Sequence, residues 1–220
     1  MTMATIAERV AAMSAATRDQ PPNELMAIFA REQSALAARG VPDGTAPVGS
    51  LLPDVDMVDA RGATTTLYAA TRARPAVVVF YRGAWCPYCN ITLSHYQARL
   101  HATLVERGIE LIAISPQTPD GSLSMQEKNE LAFTVLSDPG NTLARHLGIL
   151  TAPSPEVRAA QLQLGLDLIS VNADGSTALP MPTTIILDGG HLLQWIDVHP
   201  DYTTRSEADD IVAALDASAL

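Results

Sequence analysis

Ala76-Val77-Val78-Val79-Phe80-Tyr81-Arg82-Gly83-Ala84-Trp85-Cys86-Pro87-Tyr88-Cys89-Asn90 is the stretch that decides how this chain is read. Its first six residues form a short apolar run, mostly β-branched and aromatic, which predicts a buried strand. A brief turn follows. Apolar residues at Ile91, Leu93, Leu100 and Leu104 then predict a helix from Cys86 to Glu106, closed by Gly108. A thiol at a helix start faces unpaired backbone N–H groups and the positive end of the helix dipole. Both favour thiolate and draw the pKa from roughly 8.5 toward about 3.5–7.5. Cys89 lies one turn further on the same face, placed to attack a sulfur derivative formed on Cys86. Pro87 donates no N–H, which costs little in a first helical turn.

The rest of the chain alternates around this unit. Downstream, Ile109–Ser115 reads as a strand, 119–131 as a helix with Thr118 as cap, and 133–136 as a third strand. Two helices follow, over 141–147 and 155–164. Thr183–Leu187 and Leu192–Val198 flank Asp188-Gly189-Gly190, a hairpin signal, and Ser206 is placed to cap a last helix. The order implies an α/β fold, a mixed central sheet with helices on both faces. Upstream, Ile6, Val10 and Met13 mark an amphipathic helix over 3–18. Pro21-Pro22 interrupts it, with Pro22 as the first position of a second helix whose stripe is Leu25, Ile28, Phe29 and Leu36 and whose stop is Gly40. The chain therefore divides into an N-terminal helical hairpin over 1–40 and an α/β domain over 41–220, joined through an extended, proline-containing connector.

Composition excludes several functions. Lys plus Arg is 14 and Asp plus Glu is 24, a formal net charge of −10, so no basic surface for nucleic acid or anionic membrane is expected. The first twenty residues carry Glu8, Arg9, Arg18 and Asp19 and do not read as a secretory signal, and no apolar run approaches membrane-spanning length. A cytoplasmic location is expected. There, two cysteines in one tetrapeptide point to redox chemistry or metal binding rather than a structural staple. A zinc site would need partners among His95, His101, His146, His191 and His199, whose spacings suit no ligand set. No metal or organic cofactor is expected.

A strand ending in Trp85-Cys86-Pro87-Tyr88-Cys89 at a helix start resembles the thioredoxin superfamily, and the tetrapeptide itself resembles that of glutaredoxins. Met181-Pro182-Thr183 is similar to the cis-proline loop that faces the cysteine pair in thioredoxin-fold reductases. Over about 41–216 the order of pieces resembles the peroxiredoxin-like (AhpC/TSA, redoxin) branch: Gly44-Thr45-Ala46-Pro47 to Leu52-Pro53-Asp54, the strand at Val78-Val79-Phe80-Tyr81, Ala113-Ile114-Ser115, Leu136-Ser137-Asp138-Pro139-Gly140, and Thr184-Ile185-Ile186-Leu187-Asp188. The resemblance implies a thioredoxin-like fold and a homodimer. It also implies a Cys86 thiolate that reduces peroxide to leave a sulfenic acid, resolved by Cys89 and then reduced by thioredoxin, glutaredoxin or a low-molecular-weight thiol.

The pattern also departs from that family. Peroxiredoxins carry Thr or Ser three residues before the reactive cysteine, Pro seven before it, and Arg at the hairpin strand. Here Gly83, Val79 and Pro182 occupy those places. Arg82 is the candidate replacement charge, set against the plainer reading of a solvated loop residue. Trp85 and Tyr88 either border the substrate or simply cover the helix start. Two rival functions follow: a disulfide reductase or deglutathionylase with little peroxidase activity, and a redox-responsive binding protein that uses the helical hairpin as its effector surface.

Overall fold

The structure, a computed structural model, describes residues 4–16, 23–218 and 220. Two helices, α1 (Ile6–Ala16) and α2 (Glu24–Arg39), precede a hairpin of β1 (Asp56–Asp59) and β2 (Thr64–Thr66). The chain continues through α3 (Leu67–Thr71), β3 (Ala76–Phe80), α4 (Pro87–Arg99), α5 (His101–Glu106), β4 (Glu110–Ser115), α6 (Pro119–Lys128), β5 (Thr134–Ser137) and α7 (Thr142–His146). It ends with β6 (Leu150–Thr151), α8 (Pro155–Gln163), α9 (Leu168–Val171), β7 (Leu179–Pro180), β8 (Thr183–Leu187), β9 (Leu193–Val198) and α10 (Ala208–Ala217). Among the described residues no helix is long and apolar enough to cross a membrane.

Seven strands form one mixed sheet in the order β2-β1-β5-β4-β3-β8-β9. The central β3, β4 and β5 are parallel, and β8 runs antiparallel beside β3, with Phe80 opposite Thr183. All five residues of β3 are buried, because helices cover both faces. Alternation sends Val77, Val79 and Tyr81 into one core with Leu93, Tyr96, Leu100, Leu104, Ile211 and Leu215. Val78 and Phe80 enter the other with Leu67, Leu143 and Leu147. Cys86 and Cys89 belong to the first core.

The expected elements are present, with corrections to their boundaries and caps. The long helix is two: Leu100 (φ −111°, ψ −40°) separates α4 from α5, while Leu100 and Leu104 stay on one buried face. The last helix is capped by Glu207 in a reciprocal arrangement with Asp210, not by Ser206, whose hydroxyl is committed to the Asp197 carboxylate at 2.7 Å. Pro21 and Pro22 lie outside the described residues. The cap of α2 is Asn23, whose side chain accepts from the Leu25 N–H, and Gly40 (φ 71°) closes the helix.

Both N-terminal helices are present, and each packs on the rest of the fold, α1 on α4 and α2 on α8. Ile6 and Leu36 are the buried residues of α1 and α2, too little apolar surface for the two to form a core between themselves. The Arg9 guanidinium ties α1 to α4 through Ile91 O (3.2 Å) and Ser94 Oγ (3.1 Å), and the Ile6 and Ala7 N–H groups donate to the Glu207 carboxylate. Helix α2 lies against α8, with Arg31 and Glu156 paired at 2.5 Å.

Candidate active site

The segment that carries the cysteines leaves the sheet at the C-terminal end of β3. Tyr81 continues the ladder by donating to Ile114 O, and the chain then turns sharply at Gly83, where φ is 154°. No side chain fits there. A Cβ on Gly83 would stand 2.3 Å from Trp85 Nε1 and 2.9 Å from Gln117 Cδ. The loop is fastened by amides. Ala84 N–H donates to Gln117 Oε1 (2.5 Å), Asn90 Nδ2 donates to Ala84 O and Cys86 O (both 2.8 Å), and Asn129 Nδ2 donates to Asn90 Oδ1 (3.0 Å). Cys86 is the N-cap of α4 and Pro87 its first residue, as the sequence predicts. Both thiols are free and buried, at 1% and 0% exposure.

The charges around the pair differ from expectation in two ways. Arg82 is no solvated loop residue: it is 7% exposed, with its guanidinium carbon 3.9 Å from the Tyr202 ring centre and 5.1 Å from that of Trp85. Planar guanidinium between aromatic faces is a favourable way to bury such a charge. The second cation is Arg205, from the loop before α10. Its Nη2 donates to Cys89 Sγ at 3.2 Å, while Nη1 donates to Tyr202 O (2.7 Å) and Thr204 O (2.5 Å). It stands 116 residues from Cys89 in sequence and carries no local signal.

The two sulfurs titrate as a pair. Burial pushes the Cys86 thiol well up, reinforced by its hydrogen bond to Cys89 and by charge on Cys89, with Arg82 and Arg205 opposing. Burial raises Cys89 too, but the hydrogen bond from Cys86, the Arg205 guanidinium, and the backbone and charge of Arg82 outweigh it and hold Cys89 well below the usual thiol range. The helix start does not cap the Cys86 sulfur: its side chain accepts no backbone N–H. The two sulfurs thus differ in their surroundings: Cys86 has no backbone donor at the helix start, while Cys89 faces the Arg205 guanidinium.

The structure also places the other expected residues. Tyr88 is half-buried near Cys86 and Gln33 of α2, and burial raises its phenol above the ordinary value. Pro182 directly precedes β8, and Thr183 begins it, opposite Phe80 at the end of β3. The Met181–Pro182 bond is trans, since the described residues contain no cis peptide, and this corrects the expected cis-proline loop. The flanking backbone is held extended by sheet-like bonds, Met181 N to Ile149 O and His199 N to Pro182 O, both 2.8 Å. The trans isomer, the lower in energy, meets them. His199 bonds Thr204 Oγ1 (2.8 Å) and Asp197 Oδ2 (2.9 Å), which steadies the loop that carries Arg205. Among the described residues no cluster of three or more His, Cys, Asp or Glu could hold a metal ion.

Residues 48–196, a span that includes both cysteines, match the model of the AhpC/TSA family. The chain belongs to that family. Curated relatives include a chloroplastic peroxiredoxin Q from Triticum aestivum, 26% identical over 128 residues, or 58% of each chain. Another is a chloroplastic peroxiredoxin Q from Oryza sativa subsp. japonica, 27% identical over 148 residues, or 67% of this chain and 64% of the relative. The chain thus spans about three fifths of the length of the curated relatives it matches. Among solved structures, reduced Prx3 from Vibrio vulnificus in complex with hydrogen peroxide superposes with a TM-score of 0.63 at 16% identity, covering 78% of this chain and 99% of the other. Peroxidoxin BcpB from Mycobacterium tuberculosis gives 0.59 at 20% identity, covering 77% and 96%. The fold is thioredoxin-like, with the two N-terminal helices lying before the matched span.

Proposed function

We propose that the protein is a thiol-dependent peroxidase in which Cys86 reduces peroxide and Cys89 resolves the product. The observation that carries this reading is the pair itself: two free thiols one turn apart at the start of α4, shielded from water and faced by two fixed guanidinium groups. A Cys86 thiolate attacks one peroxide oxygen, the O–O bond breaks, and the departing alkoxide takes a proton to become an alcohol. Cys89 then displaces hydroxide from the resulting sulfenic acid to form a disulfide, with water as the second product. Thiol exchange with thioredoxin, glutaredoxin or a low-molecular-weight thiol returns the pair to the reduced state. The loop that carries Cys86 also holds two buried donors without partners, Arg82 Nε and Trp85 Nε1, a cost that an oxygen-rich ligand would relieve.

A second reading, a disulfide reductase with little peroxidase activity, draws support from Gly83 and Pro182. They stand where a peroxiredoxin carries its hydroxyl and arginine, and the crowding at Gly83 leaves no room for a side chain. Rapid mixing of reduced protein with hydrogen peroxide separates the two. Peroxide consumption far faster than by a free thiol, lost in Cys86→Ser, is the expected result. A rate equal to that of a free thiol, together with rapid reduction of a disulfide substrate, overturns the peroxidase reading in favour of the second.

A further inference from the structure

The two sulfurs have unequal surroundings. Cys89 Sγ receives an N–H from Arg205 at 3.2 Å, and that guanidinium cannot swing away freely, because its other nitrogen is fastened to two carbonyls, Tyr202 O and Thr204 O. Cys86 accepts no backbone N–H at its helix start. Arg82, the other cation, is committed to the faces of Tyr202 and Trp85. The remaining ionisable groups facing the pair are Tyr88 on α4 and Tyr81 at the end of β3, while Glu32 of α2 and Asp201 stand behind Arg82 and Tyr88.

The geometry points to Cys89, held by Arg205, as the proton acceptor for Cys86 in the peroxide step and not only as the residue that later closes the disulfide. This rests on the peroxidase reading above and deepens it. At rest the pair is Cys86–SH and Cys89–S⁻. The proton passes from Cys86 to Cys89, and Cys86–S⁻ attacks the peroxide: an S–O bond forms and the O–O bond breaks. The departing RO⁻ takes the proton from Cys89–SH and leaves as ROH. Cys89 is a thiolate again at the moment when Cys86 has become a sulfenic acid. It attacks the Cys86 sulfur, the S–S bond forms, the S–O bond breaks, and hydroxide leaves. The sum is Cys86–SH plus Cys89–S⁻ plus ROOH giving disulfide plus ROH plus OH⁻. One proton and one charge suffice for both steps. Arg205 acts here through Cys89 and is a positioning residue.

The assignment is tested first by thiolate ultraviolet absorbance against pH, which needs no peroxide. The signal at neutral pH is expected to persist in Cys86→Ser and to vanish in Cys89→Ser; the reverse pattern overturns the assignment even if the protein proves to be a peroxidase. Stopped-flow oxidation of Cys86 by hydrogen peroxide then follows in Arg205→Ala, Cys89→Ser and the double variant. An opposite charge at this distance moves a thiol by about one unit or more, so each single variant should slow the reaction at pH 7 about 10-fold or more and shift its pH profile upward. The double variant should be no slower than Cys89→Ser alone. An equal further slowing by Arg205→Ala in the Cys89→Ser background would place Arg205 on Cys86 or on peroxide and overturn the proposal. Arg205→Lys keeps the charge and should restore most of the rate and the profile, whereas a purely structural role for Arg205 predicts no such rescue. If the wild type itself reacts with peroxide no faster than a free thiol, the peroxidase reading fails, and the absorbance titration still decides where the charge lies.

Discussion

The Tyr202 phenol donates to the Glu32 carboxylate at 3.2 Å, joining helix α2 to the ring on which Arg82 rests. Gln33, the next residue, interacts with both Tyr88 and Tyr202. Helix α2 thus lies at the edge of a site whose two sulfurs are buried, and the Tyr202–Glu32 bond holds that edge closed. One hydrogen bond contributes about 1 kcal/mol net, equivalent to roughly a fivefold change in an opening equilibrium. Tyr202→Phe, which keeps the ring over Arg82, should therefore raise the alkylation rate of Cys86 by iodoacetamide about 3- to 10-fold with little change in far-ultraviolet circular dichroism. An unchanged rate would mean that the site opens elsewhere.

The central strand, the helix start and the cysteine pair were legible because each is written locally, as an apolar run, a proline at the first helical position and a spacing of three. The charge around the pair was not. Arg205 and Tyr202 reach the site from the loop after β9, and Glu32 from α2, so only tertiary folding brings them together. The edge hairpin β1–β2 also escaped notice. Met57 is its one buried residue, so no apolar alternation marks it, although Asp59 Oδ1 accepts from Arg61 and Ala63 N–H in a turn closed by Gly62. Pro182 misled because similarity to a cis-proline loop says nothing of the sheet bonds on either side of it.

Gly83→Thr would place the family's usual hydroxyl three residues before Cys86, yet it should impair the protein. The backbone at φ 154° disfavours any side chain, by about 1–3 kcal/mol, and the new Cβ would displace the Trp85 indole or the Gln117 amide that holds Ala84. A lower urea midpoint and slower Cys86 oxidation are expected. Faster peroxide consumption by this variant would show that the loop can rearrange to accept the side chain.

Arg82→Lys should not be a conservative change. An ammonium cannot stack on both rings, and the buried position leaves it poorly solvated. The expected loss is about 1–2 kcal/mol in chemical denaturation. The absorbance-detected thiolate of the pair should also shift upward in pH, since Arg82 lies near both sulfurs. Unchanged stability with an unchanged thiol titration would reduce Arg82 to filler.

Acid should loosen the loop that holds Arg205, through Asp197. The hydrogen bond from His199 keeps the Asp197 carboxyl below its ordinary value; burial opposes this, and Ser206 adds to it. A carboxylate whose folded pKa is depressed contributes stability above its unfolded value, near 3.9, and loses it as pH falls through the folded value. Asp197 is partly exposed, so the contribution is screened and modest. Asp197→Asn should therefore lower the melting temperature at pH 7 by about 1–3 °C and flatten its fall below about pH 4. The same substitution weakens one of the three side-chain contacts of His199, and with it the hold on Thr204, whose carbonyl is one of the two that anchor Arg205. If that chain of contacts is what fixes the guanidinium on Cys89, Asp197→Asn must also raise the pH at which the pair's thiolate appears; a thiol titration identical to wild type would confine Asp197 to stability alone.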